Sequence, residues 1–353
     1  VDTFLQQLVN GISQGSAYAL IALGYTMVYG ILRLINFAHG DVYMIGAFTG
    51  FYLGNTAFIR DTLGASPAAL IVVMLGAMAV CSVLGILIER FAYRPGRGVA
   101  RFTPAFWLGI LGASVGQMIG GELLYLAIGA GVGIAIGVAL EKTGLRPASQ
   151  GSNLSLLITA IGVSLFLQNG GQLTFGADPK FFPQLVTPAL WEIGPIRIDR
   201  QRVVVLSVSL LLMVLLTIIV TYTKVGKAMR AVSFNRDAAK LMGINTDRIV
   251  AFTFALGSAL AAAGGILVSL LYPRVDPLMG IMPGLKAFVA AVLGGIGSIP
   301  GAMIGGLVIG IAEVMAVGYG QSTYRDAIAF VILVLILLLK PSGIMGKGVT
   351  EKV

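Results

Sequence analysis

Charge is scarce in this sequence. Asp, Glu, Lys and Arg supply 11% of the 353 residues, against about 25% in a soluble domain. A surface this poor in charge, on a chain that is 57% hydrophobic, is not one that water keeps dissolved. Cysteine is nearly absent as well: Cys81 stands alone, so no intrachain disulfide can form. His39 is the single histidine, with no second His or Cys nearby to complete a metal site. Alternating ten-residue segments of the kind that build membrane barrels are also missing. What remains is a set of apolar runs approaching the ~20 residues that carry a helix across hydrocarbon. The sequence therefore predicts an all-α, polytopic transmembrane helical bundle.

The net charge of +9 would suggest nucleic acid in a soluble protein. Here Lys and Arg gather between apolar runs, which points to orientation in a bilayer and away from nucleic acid. The 48 glycines lie inside the apolar runs, where small residues let helices approach closely. Gly301-x3-Gly305 and Gly306-x3-Gly310 read as such packing faces.

In chain order, the predicted spans are 8–32, 42–59, 68–88, 154–171, 203–221, 249–271, 283–297, 301–317 and 326–339. Glu89-Arg90-x3-Arg94-Pro95 recurs as Glu141-Lys142-x3-Arg146-Pro147, each copy following an apolar run. If both copies are cytoplasmic, the intervening run must cross an even number of times. Two legs, 104–120 and 122–140, meet that condition, as an inserted helical hairpin within 96–153. One tilted helix with an interfacial segment is the alternative. The total is ten or eleven crossings in a single transmembrane domain, 1–353, with an outside N-terminus by parity. The stretch 172–202 holds Pro179, Pro183, Pro188 and Pro195 and so cannot span as a helix. The short 283–297 run is broken by GGIGSIPG at 294–301, and irregular backbone at membrane depth survives only against protein or a water-filled cavity.

Residues 222–248 form a basic interval in which Lys224, Lys227, Arg230, Arg236, Lys240 and Arg248 outnumber Asp237 and Asp247. Met229, Val232, Ala239, Leu241 and Met242 recur at helical spacing inside it, predicting a short amphipathic helix outside the bilayer. Asp237-Ala238-Ala239-x3-Gly243 resembles the cytoplasmic Glu-Ala-Ala-x3-Gly loop of ABC-importer permeases, with Asp in place of Glu. The downstream Ile-x-Leu-Pro of that family loop is not present. Further runs resemble the branched-chain amino-acid permeases of the LivH type. They are GYTMVYG (24–30), INFAHGD (35–41), ERFAYRP (89–95), IGVSLFLQN (161–169), LMGINTDR (241–248) and AAVLGGIGSIPGAMIGG (290–306). The stretch from about 96 to 153 departs from that pattern.

The resemblance implies one membrane subunit of an ATP-driven importer in a bacterial inner membrane. It implies a second homologous permease, two cytoplasmic ATPases that bind ATP and Mg, and an extracytoplasmic substrate-binding protein. Arg236, Asp237, Ala238, Ala239, Leu241, Met242 and Gly243 are then the ATPase-coupling residues, with a charge at Ala239 expected to uncouple. Residues 343–348 lack the Lys-[Ser/Thr] ending of a P-loop, so no nucleotide is expected on this chain. Branched-chain amino acids are the leading cargo; urea, short amides or other amino acids are alternatives. A secondary transporter or channel is the alternative of a different class.

Five residues are candidates for the translocation pathway: Asn36, His39, Asp41, Lys286 and Glu313. His39, beside Asn36 and Asp41 at a helix break, either lines the path or caps a turn. Lys286 and Glu313 are ionisable groups in apolar segments, which marks them as functional candidates. By the predicted topology they sit at similar depth near the outer face, where they either pair or snorkel separately to the interface.

Overall fold

In hydrocarbon only helices and closed barrels satisfy their own backbone, and the apolar runs accordingly become helices. The computed structural model describes residues 2–33, 35–94, 153–194, 196–320 and 322–346, together with 128, 131, 132 and 135. The helices are α1 (Asp2–Leu32), α2 (His39–Gly54), α3 (Pro67–Ile88, continued by a π-helical turn at Glu89–Tyr93) and α4 (Asn153–Phe175). Next come α5 (Arg200–Tyr222), α6 (Lys224–Phe234), α7 (Arg236–Leu241) and α8 (Thr246–Leu271). The last three are α9 (Ile281–Gly294), α10 (Ile299–Tyr319) and α11 (Arg325–Leu339). Among the described residues, five helices are long and apolar enough to cross a membrane: Asp2–Leu32, Pro67–Tyr93, Arg200–Tyr222, Thr246–Leu271 and Ile299–Tyr319. The hairpin expected within 96–153 lies outside the described residues, apart from the four isolated positions and Asn153.

The chain divides into two units, Val1–Leu87 with Ala160–Val353, and Ile88–Thr159. At the centre of the first unit α1 runs against α10 and α8, buried almost continuously from Gly15 to Val28. Glycines set that distance. A Cβ added at Gly310 would fall 2.2 Å from Gly15 Cα, and one at Gly306 would fall 2.5 Å from Ala19 Cα. The backbones touch there, as small-residue seams in membranes allow.

Side-chain ties define the two ends of the bundle. At one end the Gln6 amide donates to Arg197 O (2.8 Å) and its Oε1 accepts from Arg197 N (2.8 Å). This fixes the start of α1 to an antiparallel hairpin of β2 (Leu190–Ile193) and β3 (Ile196–Asp199). Proline content predicts irregular chain here; the hairpin within it is a feature that proline counting does not reveal. A second antiparallel pair, β1 (Lys180–Phe181) with β4 (Arg274–Val275), brings the residues after α8 to the same end. At the opposite, basic end, Ser233 donates to Gly30 O (2.7 Å), tying α6 to the last turns of α1. Ile344 and Met345 donate to Leu293 O and Gly294 O, tying the C-terminal residues to the end of α9.

Two helices depart from the expected spans. The 42–59 run becomes α2 from His39 to Gly54, followed by a π-helical turn at Phe58–Leu63. The 283–297 run becomes the 14-residue α9. At 1.5 Å per residue these two rise about 24 and 21 Å, short of the ~30 Å hydrocarbon core. Neither starts at an end of the bundle. Arg33 closes α1 at the basic end in a left-handed conformation (φ 55°), and 35–38 climb back inward to start α2 beside the middle of α1. Residues 272–280 descend from the hairpin end to start α9 at a similar depth. Gly310→Leu should overpack the α1–α10 seam and destabilise the protein by about 1–3 kcal/mol. Thermal unfolding of the detergent-solubilised protein measures this, with Val308→Leu on the exposed face of α10 as the unaffected control.

Candidate functional site

The starts of α2 and α9 meet because both carry glycine at the crossing. A Cβ on Gly40 would lie 2.5 Å from Gly280 O, and one on Gly284 would lie 2.9 Å from Gly40 Cα. The irregular backbone leading to each start is satisfied locally. His39 N–H donates to Asn36 O (3.1 Å) and Asp41 N–H to Ala38 O (3.1 Å). Met279 N–H donates to Asp276 O (3.1 Å), and Leu278 N–H to the Asp276 carboxylate (3.0 Å).

Beside this crossing is a cavity of about 130 Å³, several times the ~30 Å³ share of a liquid water. Tyr25, Phe37, Asp41, Ser164, Gln168, Ile281, Leu285 and Phe288 line it, with Gly40, Gly280 and Gly284 at the crossing. Asp41, on the first turn of α2, is 2% exposed. Its carboxylate accepts from the Ser164 hydroxyl and from Gln168 Nε2 (3.0 Å), and Gln168 also donates to Ser164 Oγ (3.1 Å). Ser164 and Gln168 share one face of α4 because they are four residues apart. Both lie in the run IGVSLFLQN (161–169), but nothing within it singles them out, since Ser and Gln carry no charge.

The His39 side chain does not cap the start of α2. Ala38 is the N-cap of α2 and makes no side-chain cap bond, while the His39 ring turns away to α1. Its Nε2 lies 3.2 Å from Ile21 O, and its ring meets Tyr25 edge-on at 4.6 Å. It is a buried brace between α2 and α1, outside the cavity lining. Asn36 is also buried and acts through its carbonyl on His39 N–H.

Lys286 and Glu313 do pair. Lys286 Nζ lies 2.9 Å from Glu313 Oε1 and 2.6 Å from Asp326 Oδ1, with the Lys286 and Glu313 side chains 6% and 2% exposed. Arg325 also bonds Glu313 Oε1. The cluster extends through Arg325 to Tyr272 Oη (3.3 Å), Tyr272 to Gln14 Oε1 (3.1 Å) and Gln14 to Tyr18 Oη (2.9 Å). It joins α1, α9, α10, α11 and Tyr272, the residue that follows α8, in the hairpin-end half of the bundle. Sequence reasoning missed Arg325 and Asp326, whose charges at the edge of the last span were the available signal.

The basic interval holds two helices where one was expected. Thr223 caps α6 through Gly226 N (3.0 Å), and Asn235 breaks the run and caps α7 through Asp237 N (3.0 Å) and Ala238 N (2.9 Å). Asn and Thr at such positions satisfy the free N–H groups of a helix start. Met229 and Val232 face inward. Ala239, expected at the docking surface, is also turned inward and only 4% exposed, packed under α7 by the helical period. Leu241 (89% exposed) and Met242 (82%) project outward with Phe234 (89%). Arg236 pairs with Asp247 (3.4 Å) and Asp237 with Lys240 (3.1 Å). Gly243 ends α7 with φ 82°.

The family of branched-chain amino acid transport system permease components matches residues 7–97 and 96–337. The chain belongs to that family. It is 39% identical to the high-affinity branched-chain amino acid transport system permease protein LivH of Escherichia coli K12, over 99% of this chain and 98% of that one. It is 38% identical to the permease protein BraD of Pseudomonas aeruginosa over the same shares. A more distant likeness, 31% identity over 123 residues, covers 33% of this chain and 38% of the ribose import permease protein RbsC of Haemophilus influenzae. No solved structure matches. The chain is a multi-pass membrane permease subunit.

Replacing Lys286 with Met should destabilise the protein by about 3–5 kcal/mol, because it strips the buried Glu313 carboxylate of one of its two cations. Adding Glu313→Gln should restore part of that loss. Thermal unfolding of the solubilised single and double variants measures both effects.

Proposed function

We propose that this chain is one membrane subunit of an ATP-driven importer that brings branched-chain amino acids across a bacterial inner membrane. Its partners are a second, homologous permease, two cytoplasmic ATPases that hold ATP and Mg, and an extracytoplasmic substrate-binding protein. The observation that carries this reading is the tip of the basic end. Phe234, Leu241 and Met242 stand 82–89% exposed at the ends of the capped helices α6 and α7, in the basic segment expected outside the bilayer. Large apolar side chains this exposed, outside the bilayer and on one short segment, fit a protein contact. In a family of transport permeases, a cytoplasmic ATPase is the fitting occupant.

Movement at that contact has a physical route to the cavity. Helix α6 packs on α5, α8 and α1, and Ser233 ties it to Gly30. Helix α1 in turn holds α2 through His39 on Ile21 O. ATP binding shifts the permease between outward and inward access only by as much as it binds the two states differently. Among the expected pathway residues, Asp41 lines the route, Asn36 and His39 position it, and Lys286 with Glu313 locks the hairpin-end helices together. Arg236, Asp237 and Lys240 fix the shape of α7, Ala238 and Ala239 let it pack closely, and Gly243 turns the chain away. Leu241 and Met242 make the contact.

Co-reconstitution of the chain with its partner permease, ATPases and binding protein tests the reading. Labelled leucine should accumulate only with ATP inside the reaction compartment; uptake that persists without ATP would assign the chain to secondary transport or a channel instead. Leu241→Asp with Met242→Asp should lower ATP-driven uptake at least tenfold, about 1.4 kcal/mol of coupling, with thermal stability unchanged. Ala239→Asp should lower both, because its side chain is buried.

A further inference from the structure

Asp41 carries a feature that the importer reading leaves unexplained. Its carboxylate is buried halfway along the bundle, and among the described residues its partners are the neutral donors Ser164 and Gln168. No described Lys or Arg pairs with it, in contrast to Glu313, which has two cations. An ionisable side chain at membrane depth pairs with a counter-charge or lines a functional path, and Asp41 lines the cavity. We infer that Asp41 binds the α-ammonium group of a zwitterionic aliphatic amino acid in transit, making the cavity a second point of substrate selection. This inference rests on the importer reading.

The rest of the lining fits such a ligand better than an inorganic cation. Gln168 directs its amide nitrogen, not its oxygen, to Asp41 and Ser164. Phe37, Ile281, Leu285 and Phe288 supply an apolar wall with no oxygen ligands, where a hard cation takes six or more oxygens. The same wall suits a branched aliphatic side chain. Helix α9 begins at this cavity, and the positive end of its dipole favours the substrate carboxylate on that side. Ser164 and Gln168 hold the Asp41 carboxylate in one rotamer, so they are positioning residues.

The test uses the assembled complex in detergent without its binding protein, so that only the membrane site is read. Displacement of labelled leucine is measured with leucine, with 3-methylbutan-1-amine (ammonium, no carboxylate) and with 4-methylpentanoate (carboxylate, no ammonium). The amine should displace leucine and the acid should fail to. Asp41→Asn should weaken leucine binding at least tenfold, the scale of losing a charged hydrogen bond, and Asp41→Glu should recover most of it. Equal displacement by the acid, unchanged leucine affinity in Asp41→Asn, or no leucine binding by the wild-type complex would overturn the inference. The analogue series on the wild type needs no variant, so it decides the matter even if Asp41→Asn fails to assemble. ATP-driven uptake by the complete wild-type system is measured in parallel. If uptake is present and the binding arms fail, only the Asp41 assignment falls; if uptake is absent, the importer reading falls first.

Discussion

Hydrocarbon offers the backbone no hydrogen bonds, and this structure is shaped by how it handles the two places where its helices break in mid-bundle. Residues 35–38 and 276–280 are irregular segments leading to helix starts at a depth where unpaired N–H and C=O groups are costly. Both are satisfied by short-range bonds, His39 to Asn36 O in one and Met279 to Asp276 O in the other. Both are also covered by protein, because α1, α4, α8 and α10 surround the starts of α2 and α9. A helix that begins inside the bundle exposes its N-terminal end to whatever lies there. Here that is a cavity with one carboxylate, two neutral donors and an apolar wall.

The remainder of the fold serves to keep that crossing in place. The Gly15–Gly310 and Ala19–Gly306 contacts lock α1 to α10 at backbone distance. The Lys286–Glu313–Arg325–Asp326 cluster holds α9, α10 and α11 together in the hairpin-end half. These devices differ in kind. A glycine seam works through dispersion and tolerates little change of volume, whereas a buried charge cluster works through mutual compensation and is only as stable as its least paired member. Glu313, bonded by both Lys286 and Arg325, is the hub of the cluster.

Helix positions were largely legible in the sequence, because hydropathy reports burial directly. The runs 203–221, 249–271 and 301–317 each fall within three residues of an observed helix. Hydropathy does not report depth, so the mid-bundle starts of α2 and α9 were not legible; INFAHGD marked the break before α2, whereas GGIGSIPG marked the far end of α9. Within the candidate site, charge in an apolar run singled out Lys286 and Glu313, which the structure pairs, and the helix break around His39 singled out Asp41, which lines the cavity. It was silent on Ser164 and Gln168, whose role comes only from facing Asp41. At the basic end, composition located the segment and the Asp-Ala-Ala-x3-Gly pattern located α7. Which face of α7 points outward depends on Asn235 restarting the helix, and that placed Ala239 inside and Leu241 outside.

The central claim is that the crossing of α2 and α9 encloses a path that water can reach at mid-bundle. Thiol accessibility measures it directly, since Cys81 is the only native cysteine and is buried. Ile281→Cys, at the start of α9 in the cavity wall, is compared with Leu211→Cys, midway along the exposed face of α5. A membrane-impermeant maleimide is applied to reconstituted complexes with and without ATP. The account predicts labelling at Ile281→Cys in at least one nucleotide state and none at Leu211→Cys. If Ile281→Cys is as unreactive as Leu211→Cys in every state, the crossing is dry packing and the path lies elsewhere.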